Sequence, residues 1–428
     1  MKKHICVVGI DEINRDMLNS FDGSGEYEYH SVLDVSEIQG RDNYSIRKLQ
    51  EKAQSAIDSL PGKPDAVVGF WNFPVTCLVP LLARDNNLPG LPLPALVRCL
   101  HKYVSRKEQS EIIPVHTPEY NLVNPFSDDP FSDIELEFPF WLKPVVSFAS
   151  YLGFKINNKA EFEKSIEIIK KNIHRFAEPV NELLNHESIP EPLKKIDGYH
   201  CVAERIIEGH QCTIEGYVHY GKTGFTGIFD SVRHLEKETF FSYEYPSSLD
   251  PAVIRRMKLI TKKLMEAIGY DNSSFNTEFF YNEEDDHLWL LEINPRISQS
   301  HSDLFLKVDG APNHKTMVEV ALGLQPSFPH REGPCEVAGK FYYRHFEDGI
   351  VTRIPSDADF NSFRKEIPHM KVMNWVEQGS RLSELHDQDS YSYKIASIYL
   401  GGSNRDELYK QRDHVFYNMF NYEFDPVT

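Results

Sequence analysis

Cysteine is scarce in this chain, and nothing pairs it. The six residues (Cys6, Cys77, Cys99, Cys201, Cys212, Cys335) are scattered without a Cys-x-x-Cys pair. That argues against a disulfide framework or a zinc site and for reduced thiols in a cytosolic protein, so a cytoplasmic location is expected. No run approaches the ~20 apolar residues of a membrane-spanning helix. The opening MKKHICVVGI has a basic pair but too short an apolar stretch for a signal peptide, so the sequon Asn272-Ser-Ser is expected to be idle. Basic residues are outnumbered: the net charge of −18 argues against a nucleic-acid partner, which needs a basic stripe, but permits a locally basic nucleotide pocket. No Gly-x-Gly-x-x-Gly fingerprint follows a strand, leaving NAD binding unsupported. No Ser-His or Cys-His nucleophile set is identifiable. What is present, 41% hydrophobic residues and 12% aromatics over 428 residues, supports real cores and two to four domains.

The chain is organised around FNTEFFYNEEDDHLWLLEINPRISQSH, residues 275–301. Two apolar runs, 275–281 and 287–293, flank the acidic turn 282–286, a β-hairpin pattern. Alternate strand residues share a face, so Glu292 and Asn294 project together. Pairing Tyr281 with His287 puts Glu278 opposite Leu290, one diagonal step from Glu292, close enough for two carboxylates to share an ion. Hard oxygen ligands without His or Cys suit Mg²⁺ held together with substrate phosphates. Arg296 follows as a fixed positive fork suited to a phosphoryl group in transfer. The alternative is a sheet-edge hairpin whose polar residues are merely solvated.

Elsewhere, strands at 4–10, 28–35 and 65–70 alternate with helices at 44–60 and 74–86, which implies a parallel sheet. LPGLPLP (88–94) is a candidate boundary. Residues 95–109 read as one basic helix carrying Lys102 and Arg106 at i, i+4, a pattern that by itself suggests a solvated charged face. Lys143 sits among apolar and aromatic residues of a strand at 138–145, where a lysine needs an anionic partner. The small-residue loop 147–153 can lie over a ligand. Asn158 and Glu161 form a capping box opening a helix, and 177–198, with three prolines, reads as a surface excursion. Gly216–Thr223 fits the Walker A pattern, but a strand-like interior and a second strand-like run after it indicate a hairpin turn. Asp250-Pro251 starts a helix ending at Gly269. From about Arg331 the tail reads as mostly antiparallel β with one helix; strands at 335–346 and 349–354 turn at Asp348-Gly349, and a closing helix runs 405–420.

In this order the segments resemble the ATP-grasp superfamily over nearly the whole chain. The resemblance implies an α/β plus α+β protein: a Rossmann-like preceding domain (1–94), a linker and small lobe (95–199), a hinge and large lobe with the metal site (200–330), and a β-rich C-terminal segment (331–428). By it Lys102 and Lys143 contact phosphate, and residues Glu204 to Ile207, with Arg205 between them, face adenine, Glu204 taking its amino group. Gln211 stands where many members hold the ribose with glutamate. Glu278, Glu292 and Asn294 fall on the metal ligands and Arg296 beside the transferred phosphoryl group. Serines and Ala149 replace the glycines usual in the 147–153 loop. Biotin carboxylases resemble the segment after the metal strand but carry a glutamate base at Ser300. Here the Ser298–Ser300 pair suits hydrogen bonding to a bound carboxylate or phosphate, and His301 reads as a structural histidine.

The implied activity is ATP-dependent ligation of a small carboxylate to an amine through an acyl phosphate, releasing ADP and phosphate. ATP and Mg²⁺, or Mn²⁺ in its place, are the implied cofactors, and a homodimer through the preceding domain is the family's common assembly. The alternatives are a carboxyphosphate-forming enzyme, like biotin carboxylase or the carbamoyl phosphate synthetase large subunit, and a nucleotide-binding regulatory protein without turnover.

Overall fold

The computed structural model describes residues 2–41, 43–148, 151–234, 239–385, 388, 392–418 and 421–427. Two compact units emerge. The first comprises Met1–Thr226, Leu249–Ser298 and His314–Ser327, the second Gly227–Ser248, Gln299–Asn313 and Phe328–Thr428.

In the first unit, β1 (Lys3–Val8), β2 (Tyr27–Leu33) and β3 (Ala66–Val68) form the expected parallel sheet in the order β2-β1-β3. Alternation sends Ile5 and Val7 of β1 into one core with Leu18, Ala66 and Val68. Helices Ile46–Asp58, capped by Ser45, and Val75–Asp85 lie where the periodicity expects them. β4 (Tyr120–Val123), β5 (Phe140–Pro144), β6 (Phe154–Ile156) and β7 (Cys201–Arg205) make an antiparallel sheet in the order β4-β7-β5-β6. The helix Lys159–Asn172, capped by Asn158, packs Phe162, Ile166 and Ile169 against Phe140, Leu142 and Ile156 of this sheet.

β8 (His210–His219) turns through Tyr220 and Gly221, at φ 44° and 75°, into β9 (Lys222–Arg233). Two left-handed residues are the signature of a tight hairpin turn. A strand, not a helix, follows Lys222, whose side chain is exposed, so the Walker A pattern is a hairpin as expected. After β10 (Phe240–Tyr245) in the second unit, the helix Pro251–Ile268 begins at the Asp250 cap and ends at left-handed Gly269, both as expected. It leads into β11 (Ser273–Asn282) and β12 (His287–Asn294), which pair antiparallel and join β8 in the order β12-β11-β8.

In the second unit β9 from Gly227, β10, β13 (Val337–His345), β15 (Lys371–Asn374) and β16 (Tyr393–Gly402) run antiparallel in the order β9-β10-β13-β16-β15. β14 (Gly349–Arg353) pairs with β17 (Glu423–Pro426) at the chain's end. The helix Gln299–Asp309 buries Leu304, Phe305 and Val308 with Phe229, Tyr245, Ala338 and Tyr399.

Four expectations need correction. Residues 95–109 are not one helix: Leu93–Leu100 and Lys102–Ile112 are separated at His101, whose buried ring accepts from Val104 N and caps the second helix. Burial lowers that imidazole to about 4, so it stays neutral and free to accept. Residues 177–198 are not a surface excursion; the helix His174–Leu184 buries Phe176, Ala177, Val180 and Leu183 despite Pro179 within it. β13 and β14 do not pair with one another, because β13 lies between β10 and β16. Among the described residues the tail holds two α-helices, Asp357–Glu366 and Arg405–Asn418, where one was expected; Met419 and Phe420, expected in the second, lie outside the described residues. Ala149 and Ser150 of the expected ligand-covering loop also lie outside them.

Candidate active site

The hairpin of β11 and β12 carries the acidic pair, but in a different register from the one expected. Asn282, not Tyr281, pairs with His287, and a bulge at Leu291 shifts the ladder once more, so that Glu278 stands directly opposite Glu292. Two one-residue shifts preserve parity: both carboxylates stay on one face and move from diagonal to adjacent positions. Asn294 continues that face. Its Nδ2 donates to Glu278 Oε1 at 3.2 Å, to Glu292 Oε1 at 3.4 Å and to Asn276 Oδ1 at 3.0 Å.

Cations meet this face from two elements. Lys102 opens its helix with its backbone N–H on Val145 O at 2.7 Å, and its Nζ donates to Glu292 Oε2 at 3.2 Å. Burial alone would raise the Glu292 carboxyl; the Lys102 and Lys143 ammonium groups outweigh it and hold that carboxyl well below the usual range.

The second group is deeper. Lys143 on β5 stands 2.6 Å from Glu204 Oε2 on β7, and Arg106 Nε donates to Glu204 Oε1 at 2.9 Å. Arg106 is fixed further by Gln109 Oε1 at 2.5 Å and Leu290 O at 2.8 Å. Burial would raise Glu204, but Arg106 and Lys143 outweigh it and hold the carboxyl at about 2. Lys143 is lowered chiefly by burial, with Glu204 opposing. The expected anionic partner of Lys143 is therefore Glu204. A solvated face is the wrong reading for Arg106: its side chain is 2% exposed, buried because Glu204 receives it.

Both Glu204 oxygens thus accept from cations of the protein, which differs from the adenine role that the resemblance implies. Arg205 turns outward with its guanidinium 5.6 Å over the Trp289 ring, and Ile207 is half-buried with no part in the charged cluster. Gln211 joins the acidic face instead of standing apart from it, its Nε2 donating to Glu278 Oε2 at 3.0 Å.

Arg296 is held by Asn72 Oδ1 at 2.6 Å and Ile297 O at 2.9 Å, while Asn276 Nδ2 donates to Arg296 O at 3.0 Å. Asn72 follows β3, more than two hundred residues away in sequence, and no local pattern marks it. Ser298 N donates to buried Glu215 at 3.1 Å. In the second unit, Ser300 Oγ accepts from Lys340 Nζ at 2.9 Å. Lys340 is buried on β13, between Tyr243 and Tyr399 in register, with Nζ 4.8 Å from the Tyr342 ring centroid. Burial, with Arg344 adding, lowers this lysine to about 7. Sequence reasoning missed Lys340 because its hydrogen-bond partner, Ser300, lies 40 residues away on the helix Gln299–Asp309. His301 is buried and stacked on Phe229 at 3.8 Å.

Two carboxylates and an amide on one face, with two lysines and two arginines in the same unit, make a donor set for a hard divalent ion and an anionic ligand. The sequence profile of the ATP-grasp domain matches residues 136–302. Over those residues the chain carries an ATP-grasp domain. It is similar to the carbamoyl phosphate synthase large chain of Ralstonia nicotianae, 26% identical over 289 residues, 65% of this chain and 24% of that one. It thus spans about a quarter of that relative's length. Among solved structures, an L-amino acid ligase from Bacillus licheniformis superposes with a TM-score of 0.76 at 14% identity, covering 100% of this chain and 99% of the other. A biotin carboxylase from Campylobacter jejuni gives 0.61 at 16% identity over 99% and 87%. At these identities the two structures establish the fold. No helix among the described residues is long and apolar enough to cross a membrane.

Proposed function

We propose that the chain is an ATP-dependent carboxylate–amine ligase. In this reading a substrate carboxylate oxygen attacks the γ-phosphorus of ATP, ADP leaves, and an amine then attacks the acyl carbon and expels phosphate. The observation that carries the reading is the face on which Glu278 stands opposite Glu292, with Lys102 on Glu292. Phosphoryl transfer is mostly positioning and charge neutralisation, and the groups here supply both. Lys102 and Lys143 bind phosphate oxygens, and Glu204 keeps Lys143 charged and aimed. Arg296, held by Asn72, neutralises charge on the group in transfer. The donor chemistry fits a hard cation: Glu278 and Glu292 would hold Mg²⁺ or Mn²⁺, with Asn294 joining once its amide turns its oxygen inward. Such an ion screens phosphate charge. We assign residues 1–94 to the preceding domain, 95–199 and 200–330 to the two lobes, and 331–428 to the C-terminal segment.

A second reading, carboxyphosphate formation from bicarbonate, is favoured by the carbamoyl phosphate synthase relatives. A screen of amino acids and small carboxylates for amine-dependent ADP release separates the two, with bicarbonate arms in parallel. ADP release needing both a carboxylate and an amine supports the ligase. Release needing only bicarbonate supports the second reading, and no release with any pair supports a nucleotide-binding regulator.

A further inference from the structure

We propose that His4, Glu28 and His30 form a second metal site, for a borderline transition ion such as Zn²⁺, at the other end of the N-terminal sheet from Asn72. β1 and β2 run parallel with His4 opposite Glu28 and Cys6 opposite His30, so the three side chains share the face turned away from Ile5 and Val7. One ligand atom from each lies within 4.8 Å of the others. His4 Nδ1 is 2.9 Å from His30 Nε2 and 4.0 Å from Glu28 Oε2, with the ring centroids 5.1 Å apart.

Two imidazole nitrogens this close share either a proton or a cation. Four-coordinate Zn²⁺ with bonds of about 2.0–2.1 Å sets its ligand atoms about 3.3 Å apart. The histidine pair would open by about 0.4 Å and the carboxylate close by about 0.7 Å, motions within side-chain reach. His4 is already positioned. Its backbone N–H donates to Asp65 Oδ2 at 2.8 Å, and its carbonyl accepts from Asp65 N at 2.8 Å. Its other ring edge lies against Gly62, where an added Cβ would come within 3.2 Å of Cδ2 and Nε2. The ring is thereby held with Nδ1 toward Glu28 and His30. Both histidines are half-buried and Glu28 is exposed, so an ion can enter from solvent and keep a water as fourth ligand.

The donor set separates this site from the acidic face of β11 and β12. Imidazole nitrogen selects Zn²⁺, Co²⁺, Ni²⁺ or Cu²⁺ and is a poor ligand for Mg²⁺, whereas paired carboxylates do the reverse. An ion here clips the edge strand β2 to β1.

The test is a titration of the tag-free chain with Co²⁺, read by its visible d–d absorption, and with Zn²⁺ by calorimetry, both in a large excess of Mg²⁺. One equivalent bound in the micromolar range, weakened at least about tenfold by Glu28→Gln and by His30→Gln, supports the site. Zn²⁺ should also raise the unfolding midpoint of the native chain and not of those variants. His4 lies on the central strand, so if His4→Gln fails to fold, the two variants on edge strand β2 decide. Unchanged affinity and stoichiometry in both, or no binding tighter than millimolar, overturns it.

Discussion

Replacing Lys340 by methionine should stabilise the protein near neutral pH, and the gain should vanish in alkali. The ammonium is buried, and no carboxylate pairs with it among the described residues; a hydroxyl, Ser300 Oγ, accepts from it. Burial brings it from 10.5 to about 7 in the folded chain. Each pKa unit is worth 1.36 kcal/mol, so the buried lysine costs about 5 kcal/mol well below pH 7 and about 4 kcal/mol at pH 7, where the folded chain has lost half of that proton. Between pH 7 and 10.5 the unfolded chain still binds the proton that the folded chain has lost, so stability rises with pH across that window. Well below pH 7 both states are protonated and the cost is constant. Methionine removes the charge, while its thioether can keep contact with the Tyr342 and Tyr399 rings that now flank Nζ at 4.8 and 5.3 Å. Loss of the donor to Ser300 subtracts about 1 kcal/mol. Urea unfolding of both proteins should therefore show Lys340→Met ahead by about 3 kcal/mol at pH 7, with the gap closing by pH 10. A gap that is the same at pH 7 and pH 10, or a less stable variant at pH 7, refutes the assignment of an uncompensated ammonium.

At the acidic face, Glu292→Gln should abolish turnover and leave the far-UV dichroism unchanged; normal activity at saturating Mg²⁺ would contradict its role as a ligand. Lys143→Ala should weaken ATP binding in calorimetry at least about tenfold, the order of one lost charge-assisted hydrogen bond, while Lys222→Ala on the exposed hairpin turn should not. Glu204→Gln should cost about 3 kcal/mol, since it leaves Arg106 and Lys143 buried without their carboxylate. The native Glu204 contribution should be complete above about pH 4.5 and fade as pH falls toward 2, so Glu204→Gln should lack that part of the acid limb in pH-dependent unfolding. Labelled bicarbonate should not enter free biotin with ATP and Mg²⁺, because Ser300 offers no carboxylate base; incorporated label would favour the carboxyphosphate reading.

Local features were legible in the sequence because their causes lie within a few residues. The Asp250-Pro251 start and Gly269 stop bound their helix, Asn158 caps another, and the β1 and β3 runs are strands of a parallel sheet. The Tyr220-Gly221 turn was legible as a hairpin because Gly tolerates the left-handed conformation and strand-like runs flank it. The hairpin of β11 and β12 was legible too, and with it the common face of Glu292 and Asn294, which rests on their spacing alone; Glu278 shares that face because the two register shifts cancel.

Tertiary structure decided what depends on partners distant along the chain. The Leu291 bulge, which sets Glu278 across from Glu292, cannot be read from alternation alone. Arg106 has the sequence context of a solvated arginine and is buried only because Glu204, 98 residues on, and Leu290 O receive it. Asn72 reaches Arg296 across 224 residues, and Lys340 reaches Ser300 across 40. A charge in the interior is fixed by whichever groups compensate it, and where those groups converge is a property of the fold.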